Sequence, residues 1–143
     1  MKVFIENEAG SDQKNIYNEK TLEYRKTYTV SRKYPYPYGF VLNTTSGDGD
    51  NLDCFVLTDK SLKQGTIVEA EAIALMEQIE DDEEDHKILA ILPGESMQVT
   101  DEIKKILKEF AEHVFDHLEG KKMHIGNFHG KEIAEKHIEK CRK

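Results

Sequence analysis

Three carboxylates fall within six residues in Asp48-Gly49-Asp50-Asn51-Leu52-Asp53. Gly47 and Gly49 beside them let the backbone turn tightly. Such a loop gathers oxygen donors for a hard cation, and magnesium takes carboxylates and retained waters in an octahedral array. A solvated acidic turn is the plainer alternative. Here the turn feeds directly into Cys54-Phe55-Val56-Leu57, so Asp53 stands at the edge of a core. Spacing excludes two other acidic loops. An EF-hand needs a ligand at its fifth position and glycine at its sixth, where this chain has Leu52 and Asp53. A phosphotransfer Asp-x-Asp nucleophile follows a buried strand, whereas the polar Asn43-Thr44-Thr45-Ser46 precedes this one.

The elements that must carry this loop are short strands followed by two late helices. Val3-Phe4-Ile5, Thr27–Ser31, Phe40-Val41-Leu42, Asp53–Leu57, Thr66–Met76 and Ile88–Leu92 read as strands. In the longest, Val68, Ala70, Ala72 and Ala74 alternate with Glu69, Glu71 and Ile73, as in a half-buried strand. Pro35 and Pro37 hold the approach to Phe40 extended. Asp81–Glu84 reads as a solvated hairpin tip. Thr100 is a fitting N-cap, with Asp101 and Glu102 in the favourable first turn. Ile103, Ile106, Leu107, Phe110, Val114 and Leu118 then form one helical stripe ended by Gly120. Met123–Phe128 reads as a last strand, Gly126–Lys131 as a turn, and Ile133, His137, Ile138 and Cys141 as one face of a final helix. The pattern is α+β, and the length suits a single domain over residues 1–143.

Composition narrows the function classes. Acids outnumber bases 28 to 20, a net charge of −8, which disfavours nucleic-acid binding and suits a protein that concentrates divalent cations. No apolar run approaches the roughly 20 residues of a membrane span, and the N-terminus lacks a signal-peptide core. Cys54 and Cys141 show no metal or redox spacing and read as reduced thiols in a cytoplasmic protein. His113 and His117, four apart on the long helix, read as a surface pair because no third zinc ligand accompanies them.

The acidic loop resembles the motif of the family I soluble inorganic pyrophosphatases: Asp, a small residue, Asp, Pro or Glu, an aliphatic residue, Asp. Asn51 is its one departure, standing where Pro or Glu is expected. The register extends without a gap from Tyr34 through Tyr-Pro-x-x-Tyr-Gly-like Tyr34–Gly39 to Asp53. It returns at Glu80, Asp85 and Lys87, where the family has Asp, four spacers and Asp-x-Lys before a strand. The family also opens with an aliphatic strand ending in Glu, a Gly-Ser turn and a Lys, matched by Glu6, Gly10-Ser11 and Lys14.

The resemblance implies a five-stranded OB-like barrel flanked by two C-terminal helices, and magnesium-dependent hydrolysis of pyrophosphate with several ions per site. It assigns Asp48, Asp53, Asp85, Glu80 and Glu6 to the metals, and Asp50 to accepting a proton from the attacking water. Tyr38 would orient the nucleophile or a phosphate oxygen. Lys14, Arg25 and Lys87 would neutralise the phosphates, with Lys26 an alternative to Arg25. The oligomeric state stays open, a homo-oligomer included. Three departures bear on activity. Ile16 replaces an acidic residue, and Val114 and Phe115 replace a Tyr-Lys pair that contacts phosphate. They leave two alternatives open: a weak or inactive metal- and phosphate-binding relative, or a hydrolase of a related organic diphosphate.

Overall fold

The computed structural model describes residues 1–143. The chain runs β1 (Lys2–Asn7), β2 (Gln13–Tyr17), β3 (Tyr24–Thr29), β4 (Tyr38–Val41), β5 (Asp53–Val56), β6 (Ile67–Glu69), β7 (Glu71–Glu80), β8 (Glu83–Glu84), β9 (Lys87–Ile91), α1 (Asp101–His113), β10 (Met123–Gly130) and α2 (Lys131–Cys141). The main sheet has the order β10-β7-β9-β5-β4-β1-β6, with β8 added to β7. Ala70 alone parts β6 from β7. Its N–H donates to the Met1 carbonyl at 2.9 Å, and the amino terminus donates to the Ala70 carbonyl at 3.0 Å. The bent stave β6–β7 therefore bonds β1 at one end and β9 at the other. The path returns on itself as a five-stave, OB-like barrel, with β10 on the far side of β7. The strand expected over Thr66–Met76 is thus broken at Ala70 and runs on to Glu80.

Successive strand residues face opposite sides, and both sides are used. Val3, Ile5, Val41, Cys54, Val56, Ala72, Ile88 and Ala90 form one core, to which α2 adds Ala134, Ile138 and Cys141. The other face carries Tyr38, Phe55, Leu89, Ala74 and Met76, covered by Leu107, Phe110, Ala111 and Val114. Leu107 is wholly buried there, a contribution of about 1.5–3 kcal/mol for such a side chain. Both cysteines are buried free thiols. No helix is long and apolar enough to cross a membrane.

Three local readings change. Residues 13–17 form β2, which pairs with β3 in a separate two-stranded sheet; their polar composition hid a strand. Thr100 does cap α1, its Oγ1 accepting the Ile103 N–H, but the helix ends at His113. The Val114 carbonyl is taken by the Ser31 N–H at 2.9 Å, and tighter i→i+3 bonds from Asp116 and Leu118 follow. Ile106, Leu118 and Ile133 are exposed, so the buried stripes of both helices are narrower than their apolar residues suggest. Residues 126–130 belong to β10, which runs straight into α2 around an irregularity between Ile125 and Phe128.

One position tests the closure of β1 on β4. A Cβ at Gly39 would lie 1.7 Å from the Phe4 carbonyl oxygen and 3.1 Å from Ile5 Cα, both backbone atoms that cannot swing away. Gly39→Ala is expected to destabilise the protein by about 3 kcal/mol, the upper end of the usual overpacking cost. Urea unfolding checks it, since a midpoint unchanged from wild type would mean that β1 and β4 can part at no cost.

Candidate active site

The parity of the strands brings the charged residues together. Asp53 pairs with Lys87 across the parallel β5–β9 ladder, and Lys87 pairs with Met76 across β7–β9. Directly paired residues project from the same face, here the one that α1 only partly covers. Beyond α1's edge this face opens into a cavity of about 1090 Å³. Glu6, Lys14, Arg25, Tyr38, Asp48, Asp50, Asp53, Glu80, Asp85 and Lys87 all line it. Every residue assigned from the sequence thus faces one space. Lys26 does not line it; its ammonium lies 5.2 Å from the Tyr28 ring centroid.

Two turns place the acidic segments. The first is a two-residue hairpin between β7 and β8, with Asp81 and Asp82 both at positive φ and Glu80 paired to Glu83. This is the primed turn suited to strand twist, and it accounts for the four residues between Glu80 and Asp85. The Asp85 N–H donates to the Gln78 carbonyl at 2.9 Å. His86 turns to the other face, where its Nδ1 accepts from the Gln78 N–H and its Nε2 meets Glu84 at 2.8 Å. The second is the Asp48–Asp53 loop. The Asp48 carboxylate accepts the Asp50 N–H at 3.0 Å, and the Leu52 N–H donates to Thr44 Oγ1. Gly47 is needed where the loops meet, because a Cβ there would lie 2.9 Å from both Glu84 Cβ and its carbonyl oxygen.

A buried ion triad forms the floor. Lys87 Nζ donates to Asp53 at 2.6 Å and to Asp85 at 2.9 Å, with Lys87 5% and Asp85 3% exposed. Burial opposes the Lys87 ammonium, but the two aspartates outweigh it and hold its pKa above the ordinary lysine value. The Lys87 ammonium also lies 5.7 Å from the Tyr38 ring centroid. Burial, then Asp53 and Asp85, raise the Tyr38 phenol well above its usual pKa, so it stays a neutral donor. Tyr34 and Phe55 pack against its ring, with Tyr38–Phe55 centroids 4.8 Å apart, and Phe110 packs on both of them in turn.

The acids above this floor are unusually proton-hungry. Burial, with Asp53 adding to it, pushes the Glu6 carboxyl up to about 8. Burial and then Asp48 and Asp53 raise Asp50 as well. Asp85 is raised by burial against the pull of Lys87, and its Oδ1 is buried with no hydrogen-bond partner. No three carboxylates close on one point, because lysines stand among them: Lys87 between Asp53 and Asp85, and Lys121 at 2.9 Å from Glu80. The donor set nevertheless fits a hard divalent cation, because its charged oxygens are carboxylates and one of them, Asp85 Oδ1, is buried without a hydrogen-bond partner. Taking a cation up at Glu6 would release its proton.

Two lining residues were not singled out from the sequence. Lys121 pairs with Glu80 and lies 5.1 Å from the Phe115 ring centroid, while Lys14 lies 5.8 Å from the same centroid. Glu19, on the turn between β2 and β3, accepts the Asn51 N–H at 2.7 Å. Burial pushes its carboxyl up to about 7 against the pull of that N–H, and Asp50, Asp53 and Asp48 add to the rise. Nothing in Asn18-Glu19-Lys20 marks it as a site residue; only the contact with Asn51 does. His113 bonds Asp116 and His117 bonds Ser31, so that pair does not converge.

Comparison with known proteins agrees with this arrangement. A family model described as inorganic pyrophosphatase matches residues 3–143. The inorganic pyrophosphatase of Thermoplasma volcanium is 33% identical over 98% of this chain and 90% of its own. That of Geobacillus stearothermophilus is 31% identical over 99% and 91%. The solved inorganic pyrophosphatase from Helicobacter pylori superposes with a TM-score of 0.90 at 25% identity, over 99% of this chain and 90% of that one. With barrel, register and near-full-length match in agreement, this chain belongs to the inorganic pyrophosphatase family.

Proposed function

We propose that the protein hydrolyses inorganic pyrophosphate to two phosphates in the cytoplasm, with magnesium ions held by Asp48, Asp53, Asp85, Glu80 and Glu6. The observation that carries the site assignment is the buried Asp53–Lys87–Asp85 triad with its orphaned Asp85 Oδ1, facing a cavity also lined by Lys14 and Arg25. Such a space suits a polyanion that arrives with its own cations. When bound, divalent ions supply an acidified water and offset phosphate charge.

The chain's own groups do the rest. Asp50 takes the proton of the attacking water, and its raised pKa suits it as a base. Tyr38, held neutral by burial, donates its hydroxyl to the nucleophile or to a phosphate oxygen. Lys14, Arg25 and Lys87 line the cavity as fixed cations and stabilise charge that grows on the phosphate oxygens in the transition state.

A second reading is favoured by Phe115. Its ring lines a cavity at the top of the ~300–1,000 Å³ range of small-molecule sites, with Lys14 and Lys121 5.8 and 5.1 Å from its centroid. This is room for an organic diphosphate whose ring stacks on Phe115.

Three measurements test these assignments. Asp48→Asn keeps the acceptor for the Asp50 N–H but removes a charge, and it should weaken magnesium binding at least about tenfold, the least that even outer-sphere changes cost metal sites. Asp53→Asn should do the same, and calorimetric titration showing both unchanged would remove the metals from this loop.

Asp50→Asn should leave magnesium binding in place while turnover falls by at least about two orders of magnitude, as for a lost general base. Equal turnover in the two proteins would take that role from Asp50.

Phe115→Lys adds a charge-assisted phosphate contact worth roughly 1.5–3 kcal/mol, opposed by Lys14 and Lys121 alongside. The expected rise in kcat/KM for pyrophosphate is therefore near the low end, about tenfold. If the variant folds and shows no rise, while turnover of an organic diphosphate falls, the second reading replaces the first.

A further inference from the structure

The motif assignment leaves out one carboxylate in the cavity. Glu19 sits on the turn between β2 and β3, far in sequence from the acidic loop, yet lines the same space as Asp48, Asp50 and Asp53. Its Oε1 accepts the backbone N–H of Asn51 at 2.7 Å. With the Asn51 amide turned so that its nitrogen faces the Thr44 carbonyl at 2.9 Å, as the surrounding acceptors require, that nitrogen lies 3.2 Å from the same Oε1. One residue of the loop thus offers two donors to one oxygen of Glu19. The N–H exists only because residue 51 is not proline.

Glu19 has no cationic partner of its own: every ion pair in the molecule lies elsewhere. Like charges gathered without a counter-charge oppose one another. A half-buried carboxylate that has no ammonium of its own and shares the cavity with Asp48, Asp50 and the Lys87-paired Asp53 is therefore an unfavourable arrangement for the protein alone. It becomes favourable once a cation sits among them. The same cavity holds a second group suited to a cation, the Asp85 Oδ1 that is buried without a hydrogen-bond partner.

We propose that Glu19 is a further metal-binding carboxylate, delivered from the β2–β3 turn and aimed at the Asp48–Asp53 loop by Asn51, its positioning residue. The proposal rests on the reading of the cavity as a magnesium site. It also gives Ile16 a counterpart, since Ile16 and Glu19 both line the cavity from β2 and its turn. A carboxylate absent from the strand is supplied three residues later.

The competing role for Glu19 is a latch that ties the β2–β3 turn to the loop. Glutamine separates the two, because its amide oxygen still accepts the Asn51 N–H but carries no charge. The probe is magnesium alone, titrated calorimetrically into the full chain, with thermal melting recorded in its absence and presence. Glu19→Gln should bind magnesium about tenfold more weakly, melt without metal at or above the wild-type temperature, and gain less from added magnesium. Asn51→Pro, which removes the N–H, should weaken magnesium binding in the wild-type background and weaken it no further in Glu19→Gln, the non-additivity of two groups acting as one. Unchanged affinity in Glu19→Gln overturns the proposal, as does a lowered metal-free melting temperature with unchanged affinity, the mark of a latch. Wild-type protein that takes up no magnesium overturns the metal site itself and this proposal with it, whereas wild-type uptake with an indifferent Glu19→Gln overturns only the role of Glu19.

Discussion

A lysine ammonium held between two aspartates on the floor of a cavity constrains much of this molecule. Lys87 is the first residue of β9 and Asp53 the first of β5, and they meet because those strands run parallel. Parallel pairing brings the starts of both strands to one edge of the barrel; antiparallel pairing would have set them at opposite ends. β7 runs antiparallel to β9, so its last residue, Glu80, arrives at that same edge. The single parallel ladder is therefore what brings Asp53, Lys87 and Glu80 to one edge, where Asp85, just ahead of β9, joins Asp53 on the Lys87 ammonium. Charges so far out of water are tolerated only while they compensate one another, and leaving one unpaired in such a setting costs about 3–5 kcal/mol.

That arrangement balances most of the buried charge within the chain itself. Lys87 answers Asp53 and one oxygen of Asp85, and Lys121 answers Glu80. Burial, with Asp53 adding to it, raises the Glu6 carboxyl to about 8. The second oxygen of Asp85 has nothing. On the proposed reading, a cation held by these carboxylates would take over part of the charge that Lys87 and Lys121 answer, and the two ammonium groups could then meet an anion.

Much of this was readable in the chain because it is local. The Asp48–Asp53 spacing, the Glu80–Lys87 spacing and the alternation along β5, β7 and β9 each involve residues a few positions apart, where sterics and period decide geometry. The parts that were not readable depend on contacts across the fold. Glu19 reaches the loop through a backbone N–H 32 positions away, an atom that every residue but proline carries and that no side-chain pattern reveals. α1 stops at His113 although its apolar stripe continues, because Ser31 claims the Val114 carbonyl. β2 is too polar to announce itself; Asn7 and Asn15 secure it instead, with the Asn15 N–H donating to Asn7 Oδ1 at 2.7 Å and the Asn15 amide to the Glu6 carbonyl at 2.9 Å. Those two bonds also hold Lys14 over the cavity.

Val114 and Phe115, neighbours in sequence, have different physical standing. Val114 is 5% exposed and packs with Leu107, Phe110 and Ala111 against the outer face of β5 and β9. A larger polar group there would have to displace core side chains. Phe115 lies at the cavity rim, its ring faced by the ammonium groups of Lys14 and Lys121. Both lysines gain from the electron-rich ring face, by about 0.5–1 kcal/mol where solvent reaches them, which adds to the hold that Glu80 already has on Lys121. Phe115 removes a charge from the site but steadies the two that remain beside it. The carboxylates and the Lys87 triad are intact, so on the proposed reading these substitutions bear on how an anion would be gripped, while the groups assigned to the cations and the proton keep their places.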